Sequence, residues 1–424
     1  MQMVKSSEDN YLIGNPQITF FKIVYHRHTN FAMENVEIPN YIYDNYTQPH
    51  ETTKSIIIPK SGDLLNNLYY DITLTGSEST NVTSYINWTN GTGYAMIKEI
   101  SIEIDGQTID THYSEWFDIW NELTDINYNE HMLVNKHNSK VSYLTGNASN
   151  TPPNLQMYVP LHFWFCKKSG LALPLISLQN SDVKLKTTFR NVNNLINCDG
   201  YASSQNIEPT IKLYGNYIYL DTEERRKFAI NPHEYLIEQV QSLNKTTLTN
   251  KHLLPFTNHV KEIIWVCRGK DLDETDPTIP TNSVDTTLNV EGGPLSKGND
   301  YFNYSSAGQL NKEYINTQES FEPFRTAKIL FEGSNRFEEM KASYFRTLQP
   351  LYYHTKVPEK HIYSYSFALK PEEYQPSGFI NFSKLNSVEL IFTNVEPNTD
   401  ILIYATTYNV LRIAGGSARL AYIT

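Results

Sequence analysis

Two stretches built to one plan constrain this chain more than any other feature. In the first, residues 94–123, Ile100, Ile102 and Ile104 alternate with Ser101 and Glu103 at the period of a strand. Asp105-Gly106 supplies the dipeptide of a tight hairpin turn, residues 108–112 read as a second strand, and then the period changes. Tyr113, Trp116, Phe117, Trp120 and Leu123 recur at helical spacing, so an aromatic stripe should face a core. In the second stretch, residues 326–348, a strand over 327–331 meets a turn at Gly333. Asn335 and Glu338 then fit the start of a helix whose stripe is Phe337, Met340, Tyr344, Phe345 and Leu348, with Pro350 as its stop. One unit used twice predicts two similar domains in tandem.

A length of 424 residues suits two cores of about 200 residues each, and 40% hydrophobic content can fill them. Thirty Tyr and nineteen Phe favour strands, and the Asn, Thr and Ser between them favour polar loops. In the first half, strands are expected at 54–58, 68–74, 157–166, 182–189 and 211–220, with polar loops over 75–93 and 124–153. That count fits a jelly roll, two sheets joined as Greek keys. The second half repeats it with strands at 235–242, 260–267, 362–369, 388–393 and 401–410, interrupted by a polar insertion over 268–322. DVKLKTTF corresponds to SVELIFT, YGNYIYL to YATTYNVL, and the strand holding Phe163-Trp164-Phe165 to Ser366-Phe367-Ala368. The offset between copies shrinks from about 230 residues at the helix to about 190 at the last strand, as loop-length drift after duplication produces.

The expected fold is therefore all-β: two tandem eight-stranded jelly-roll β-sandwiches, each with a short embedded helix. Residues 1–26 form an N-terminal segment, 27–220 the first roll, 221–227 (DTEERRK) a charged linker, and 228–424 the second roll. Ile18, Phe20, Phe21, Ile23, Val24 and Tyr25 form an apolar run that suits a buried strand or a short helix. Trp116, Trp120 and Trp164 should anchor the first core, Tyr344 and Phe345 the second.

Signals of chemistry are weak throughout. A net charge of −11 argues against a phosphate-gripping surface, and the basic runs at 225–227 and 26–28 are short. His26 and His28 lack a third ligand at metal-like spacing. There is no Gly-rich phosphate loop, no nucleophile elbow and no HExxH. Glu99, Glu103 and Asp105 would suit a glycosidase pair, yet Glu103 sits on the polar face of its strand, where a solvated acid is the ordinary outcome. Cys166, Cys198 and Cys267 read as reduced, buried thiols. The start MQMVKSSEDN has no apolar signal core and no run approaches a membrane span, so a soluble protein made in the cytosol is expected. Among the Asn-x-Ser/Thr sequons, Asn81, Asn87, Asn90 and Asn303 are the candidate glycosylation sites. No enzyme activity, cofactor, metal or small-molecule substrate is expected.

Several long blocks then carry a resemblance. YLIGNPQITFFKIVYHRHTNFA, GYAMIKEISIEIDGQTIDTHYSEWFDIWNELT and YVPLHFWFCKKSGLALPLISLQ lie in the first half. YLDTEERRKFA…HEYLIEQ, YFRTLQPLYYHTKVPEKHIYSYSFALKPEEYQPSG and YATTYNVLRI…LAY follow in order. Through these the chain resembles the double jelly-roll major capsid proteins of nucleocytoplasmic large DNA viruses, the giant-virus and algal-virus type. The resemblance implies a homotrimer of pseudo-hexagonal outline, assembled in host cytoplasm, that tiles the outer shell of the virion over an internal membrane. Its partners would be itself, neighbouring capsomers, minor capsid proteins and the membrane layer, with no direct contact to nucleic acid. The N-terminal segment would face inward, and the loops over 75–93 and 268–322 would form outward, glycosylated towers. The chain departs from the family in those loops and in its ending, AGGSARLAYIT. A minor capsid or scaffold protein of the same fold, and a carbohydrate-binding or carbohydrate-active β-sandwich, are the competing readings.

Overall fold

The computed structural model describes residues 10–39, 51–76, 86–124, 133–136, 153–198, 208–269, 301–304, 322–397 and 399–422. Each half is a pair of facing antiparallel sheets. In the first half the strands of these two sheets are β1 (Phe31–Glu37), β2 (Thr52–Ile57), β3 (Leu64–Thr75), β4 (Ile97–Ile104), β5 (Gln107–Tyr113), β6 (Leu155–Pro160), β7 (Val183–Phe189) and β8 (Glu208–Leu220), and the short strands Ile86–Trp88 and Ile196–Cys198 pair apart from them. They pair in the orders β1-β8-β3-β6 and β2-β7-β4-β5. The helix α1 (Ser114–Thr124) follows β5 directly. Asp105 takes φ 57° and Gly106 φ 77° at the β4–β5 hairpin, the left-handed pair that lets a two-residue turn follow the strand twist.

The second half repeats this topology. Its main strands are β9 (His233–Thr247), β10 (Lys251–Leu253), β11 (His259–Gly269), β12 (Thr326–Phe331), β13 (Ser334–Asn335), β14 (Met340–Lys341), β15 (Ile362–Ser366), β16 (Val388–Thr393), β17 (Thr399–Ala414) and β18 (Ser417–Leu420), with the short strand Ile380–Asn381 also paired on β11. One sheet runs β9-β17-β11-β15 with β18 on β17, and the other runs β10-β16-β12-β13 with β14 on β12. Strand for strand, β9, β17, β11 and β15 repeat β1, β8, β3 and β6. The repetition extends to a defect: Asn66 is bulged out between β3 and β8, and Lys261 is bulged out between β11 and β17. Tyr214 and Tyr404 each stand two residues before that bulge, so they occupy equivalent positions. The fold is two jelly rolls in tandem.

Several local expectations need correction. The strand expected over 157–166 stops at Pro160, and Trp164 lies instead on a one-turn helix, Trp164–Lys167, though still buried at 2% exposure. Proline has no N–H to continue a ladder, so the chain turns there and packs Phe163 and Phe165 inward. The helix expected from Asn335 does not form. Glu332 and Gly333, both at positive φ, fold β12 back into the short strands β13 and β14. The helical segment begins later, as a π-helical turn, Tyr344–Leu348, running into α3 (Gln349–Tyr353); α2 is the helix Thr222–Ile230. Pro350 sits in the first turn of α3, where its missing N–H costs nothing, and does not end the helix. Phe345 is fully buried, Tyr344 is half-buried and Leu348 is exposed.

Residues 221–227, read as a linker, belong to α2, which Asp221 caps by accepting from the Glu224 backbone N–H at 2.9 Å. The apolar run from Ile18 to Tyr25 is neither a strand nor packed. Phe20, Phe21 and Ile23 are at least 90% exposed, and among the described residues of this arm only Asn10–Ile13 is helical.

The β17–β18 hairpin ties the two rolls together. Asn180 donates from its backbone N–H to Gly416 O at 3.0 Å and from Nδ2 to Gly415 O at 3.2 Å. Gly416 has φ 85°, and a Cβ there would stand 2.7 Å from Asn180 Nδ2. Gly416→Ala should therefore cost about 1–3 kcal/mol through backbone strain and loss of this clasp. Gly415→Ala, at φ 62° but facing open space, should cost less. Paired guanidinium unfolding curves test the order.

The junction between the rolls as the candidate functional site

The chemistry-bearing residues of this chain gather between the two rolls. Helix α1 lies there because both of its faces have a partner. Phe117, Ile119 and Leu123 turn into the first core, while the Trp116 ring stands 5.5 Å from Tyr404 of the second roll. Trp120 stacks on Trp116 at 5.8 Å but is only half-buried, short of the full anchoring expected of it. The remaining face is acidic and also buried: Glu115, Asp118 and Glu122 have 8%, 0% and 6% exposure.

Buried carboxylates need cations, and both rolls supply them. Lys360 of the second roll donates to both Asp118 oxygens at 2.7 Å. Lys136 of the first lies 2.9 Å from Asp118 and 2.8 Å from Glu122, and Lys356 of the second lies 3.5 Å from Glu122. Glu115 lies 3.7 Å from Arg190 and 3.9 Å from Arg268. Burial alone would raise the Glu122 carboxyl, but Lys136, Lys360 and Lys356 outweigh it and hold the group down at about 2. Burial would likewise lower Lys136, and Asp118 and Glu122 reverse this and raise it. For Lys360 burial wins, seconded by Lys136, and its ammonium is lowered despite Asp118. The cluster acts as a cross-link of charge between the rolls.

Two further ion groups continue the junction. Glu238 of β9 accepts from Lys167 of the first roll at 2.6 Å and from the bulged Lys261 at 2.5 Å, which hold it at about 2 against burial. His354 lies 3.3 Å from Glu262 and 3.0 Å from Glu372. Burial would lower its imidazolium, but the two carboxylates prevail and raise it from 6.5 to about 9. A raised folded value stabilises while the group stays protonated in both states, and that stabilisation is lost as pH climbs from 6.5 through about 9. Urea unfolding should therefore show stability falling by about 3 kcal/mol across this alkaline window. His354→Gln should flatten that slope.

Along the same seam β5 runs beside β9. Asp110 accepts from the Val240 N–H at 3.0 Å, and Gln239 Nε2 donates to Ile109 O. An open cavity of about 390 Å³ is lined by Trp120, His162, Trp164, Lys167, Lys168 and Tyr374. Lys167 there is engaged by Glu238 and by the Trp120 ring, 4.5 Å away. Burial pushes the neighbouring Cys166 thiol up to about 12 and the Cys267 thiol well above its usual value, so neither is a nucleophile near neutral pH.

The sequence candidates fall elsewhere. Glu99 and Glu103 lie on β4, and Asp105, in the hairpin turn, accepts from Ser181 Oγ at 2.9 Å. His26 and His28 lie on the exposed arm, and among the described residues no group of three His, Cys, Asp or Glu could hold a metal. Asn81, residues 77–85 of the loop 75–93 and nearly all of the insertion 268–322 lie outside the described residues. Asn87 falls in the short strand Ile86–Trp88, and Asn90 is half-buried beside it. Asn303 has no exposed surface, so the folded chain presents no acceptor for a glycan there. What sequence reasoning missed is the acidic stripe itself. Glu115, Asp118 and Glu122 sit at i, i+3 and i+7 of one helix, a spacing that puts three acids on one face, with Lys360 awaiting them in PEKH.

Two families match the two halves: one described as major capsid protein N-terminus over residues 19–221, and one as large eukaryotic DNA virus major capsid protein over 224–419. The major capsid protein of Pyramimonas orientalis virus is 34% identical over 450 aligned positions, covering all of this chain and 98% of that protein. The chain belongs to the major capsid proteins of large DNA viruses. The capsid protein of Paramecium bursaria Chlorella virus 1 is also 34% identical, across 98% of this chain and 97% of its own length. A quasi-atomic model of the PBCV-1 virus capsid superposes with TM-score 0.71 and 28% identity over 96% of this chain. The Faustovirus major capsid protein shares the fold at TM-score 0.71 with 14% identity. As a major capsid protein the chain is a structural component of the virion, and the junction described above is internal scaffolding for a shell subunit.

Proposed function

We propose that this major capsid protein forms homotrimers, two rolls per chain giving a pseudo-hexagonal capsomer, and that these capsomers tile the outer shell without catalysing any reaction. The observation that carries the reading is the junction. Two alike rolls are joined head to tail by a buried aromatic and ionic interface, an arrangement whose unused faces suit further copies of the same contact. The described arm, residues 10–30, carries Lys22 and Arg27 without an acid and exposes Phe20, Phe21, Ile23 and Val24. We assign it to the inner side of the shell, against minor capsid proteins or the membrane layer, with assembly in host cytoplasm. The tower-loop sugars belong to Asn81, Asn87 or Asn90 in this reading.

Protein stoichiometry of purified particles tests the proposal. A major shell subunit should be the most abundant polypeptide, and a band at trace level would instead identify a minor shell component or scaffold. Particles assembled from chains lacking residues 1–26 should be fewer while the isolated protein melts unchanged, because the described part of this arm buries nothing on the body.

A further inference from the structure

Within the chain, the outer face of the second roll's β9-β17-β11-β15 sheet is covered by the first roll. Consequently β11 and β17 are buried on both faces, and Ile264, Val266, Ile362, Leu402 and Tyr404 join the core of the first roll rather than that of their own. Among the described residues nothing covers the equivalent sheet of the first roll. Along β3, buried Leu68, Tyr70, Ile72 and Leu74 alternate with half-buried Asn67, Tyr69, Asp71 and Thr73. On that uncovered face Tyr69 stacks on Tyr214 at 5.3 Å and meets Tyr158 edge-on at 6.2 Å, making a platform of three aromatic rings. By position relative to the shared bulge, Tyr214 is the counterpart of Tyr404, the residue on which Trp116 packs.

Among the described residues the other half of the contact also recurs without a partner. In the first roll the helix after the β4–β5 hairpin, α1, is what covers the second roll. In the second roll the helical segment after β12–β14 holds the same place, and there Leu348, Leu351 and Tyr352 are 38%, 62% and 69% exposed. Such a cluster of large apolar side chains beside a polar rim marks an interaction surface.

We propose that the Leu348, Leu351 and Tyr352 patch of one copy docks on the Tyr69, Tyr158 and Tyr214 platform of the next, repeating between chains the junction that joins the rolls within a chain. The occupant of each face is a second copy because each face is the vacant half of a contact this chain already makes with itself. A contact between two different faces is heterologous, and successive copies close into a ring or extend without limit. The inference rests on the trimeric reading above and names the surface that builds the trimer.

Native mass spectrometry of three variants beside the parent tests it. Tyr352→Glu removes the helix face and Tyr214→Arg the platform, both at positions open enough to leave the fold intact, which near-ultraviolet circular dichroism checks. Tyr352→Phe is the conservative companion and should stay trimeric. Each charged variant alone should be monomeric at concentrations where the parent is a trimer. Mixed together they should give a heterodimer that grows no further, since one intact face remains on each. A trimer that survives both charged substitutions overturns this surface and leaves the capsomer reading standing. A parent that is itself monomeric overturns both.

Discussion

Asp118→Ala is expected to lower the stability of the isolated protein by about 3–5 kcal/mol, as the removal of one member of a buried ion pair does. The loss is more than one contact. Asp118 has no exposure and is within 2.7–2.9 Å of two lysines, Lys360 from the second roll and Lys136 from the first. Without it, two buried ammonium groups face each other with Glu122 as their main carboxylate. Lys360→Met should cost less, because Asp118 keeps Lys136 at 2.9 Å and the thioether fills the volume of the lysine stem. Guanidinium midpoints for the two variants and the parent decide the matter. Equal losses would mean that the charges are solvated and that the rolls are held by their apolar contacts alone.

Trp116→Ala is expected to cost roughly 3–5 kcal/mol, the range for truncating a buried large aromatic. Its ring lies between Trp120 at 5.8 Å and Tyr404 at 5.5 Å, so its removal opens a cavity on the seam between the rolls. Trp120→Ala should cost about 1–2 kcal/mol, because that ring is half-solvated and packs on one side against Lys167. A loss below about half a kcal/mol for Trp116→Ala would remove this ring from the core.

These two residues also show what a sequence can and cannot reveal about such a chain. The aromatic stripe was legible because a helix repeats every 3.6 residues and the core-facing positions must be apolar. The tandem organisation was legible because the strand–turn–helix unit occurs twice with its order kept. The acidic stripe was not legible as a junction, since three acids on a short helix ordinarily face water; here the other roll supplies lysines to that face. Pattern within one roll carries no information about what the neighbouring roll brings.

The helix placed at Asn335 failed for a related reason. Phe337 and Met340 do pack against the core, but a pair of positive-φ residues at the β12 turn keeps the chain in hairpin geometry beyond them. Helical spacing and two short strands then bury the same side chains. In the arm, the apolar run from Ile18 to Tyr25 matched burial by composition, yet among the described residues it packs against no surface of its own chain. Asn303 illustrates the converse, a sequon whose side chain the tertiary fold encloses.

The most direct test is the mass and shape of the intact protein in solution. Native mass spectrometry with single-particle imaging should give three times the 48.9 kDa of one chain and a six-lobed ring, each lobe one roll. A particle of one chain with two lobes at every concentration would contradict the claim that each roll is built to meet another roll on both sides.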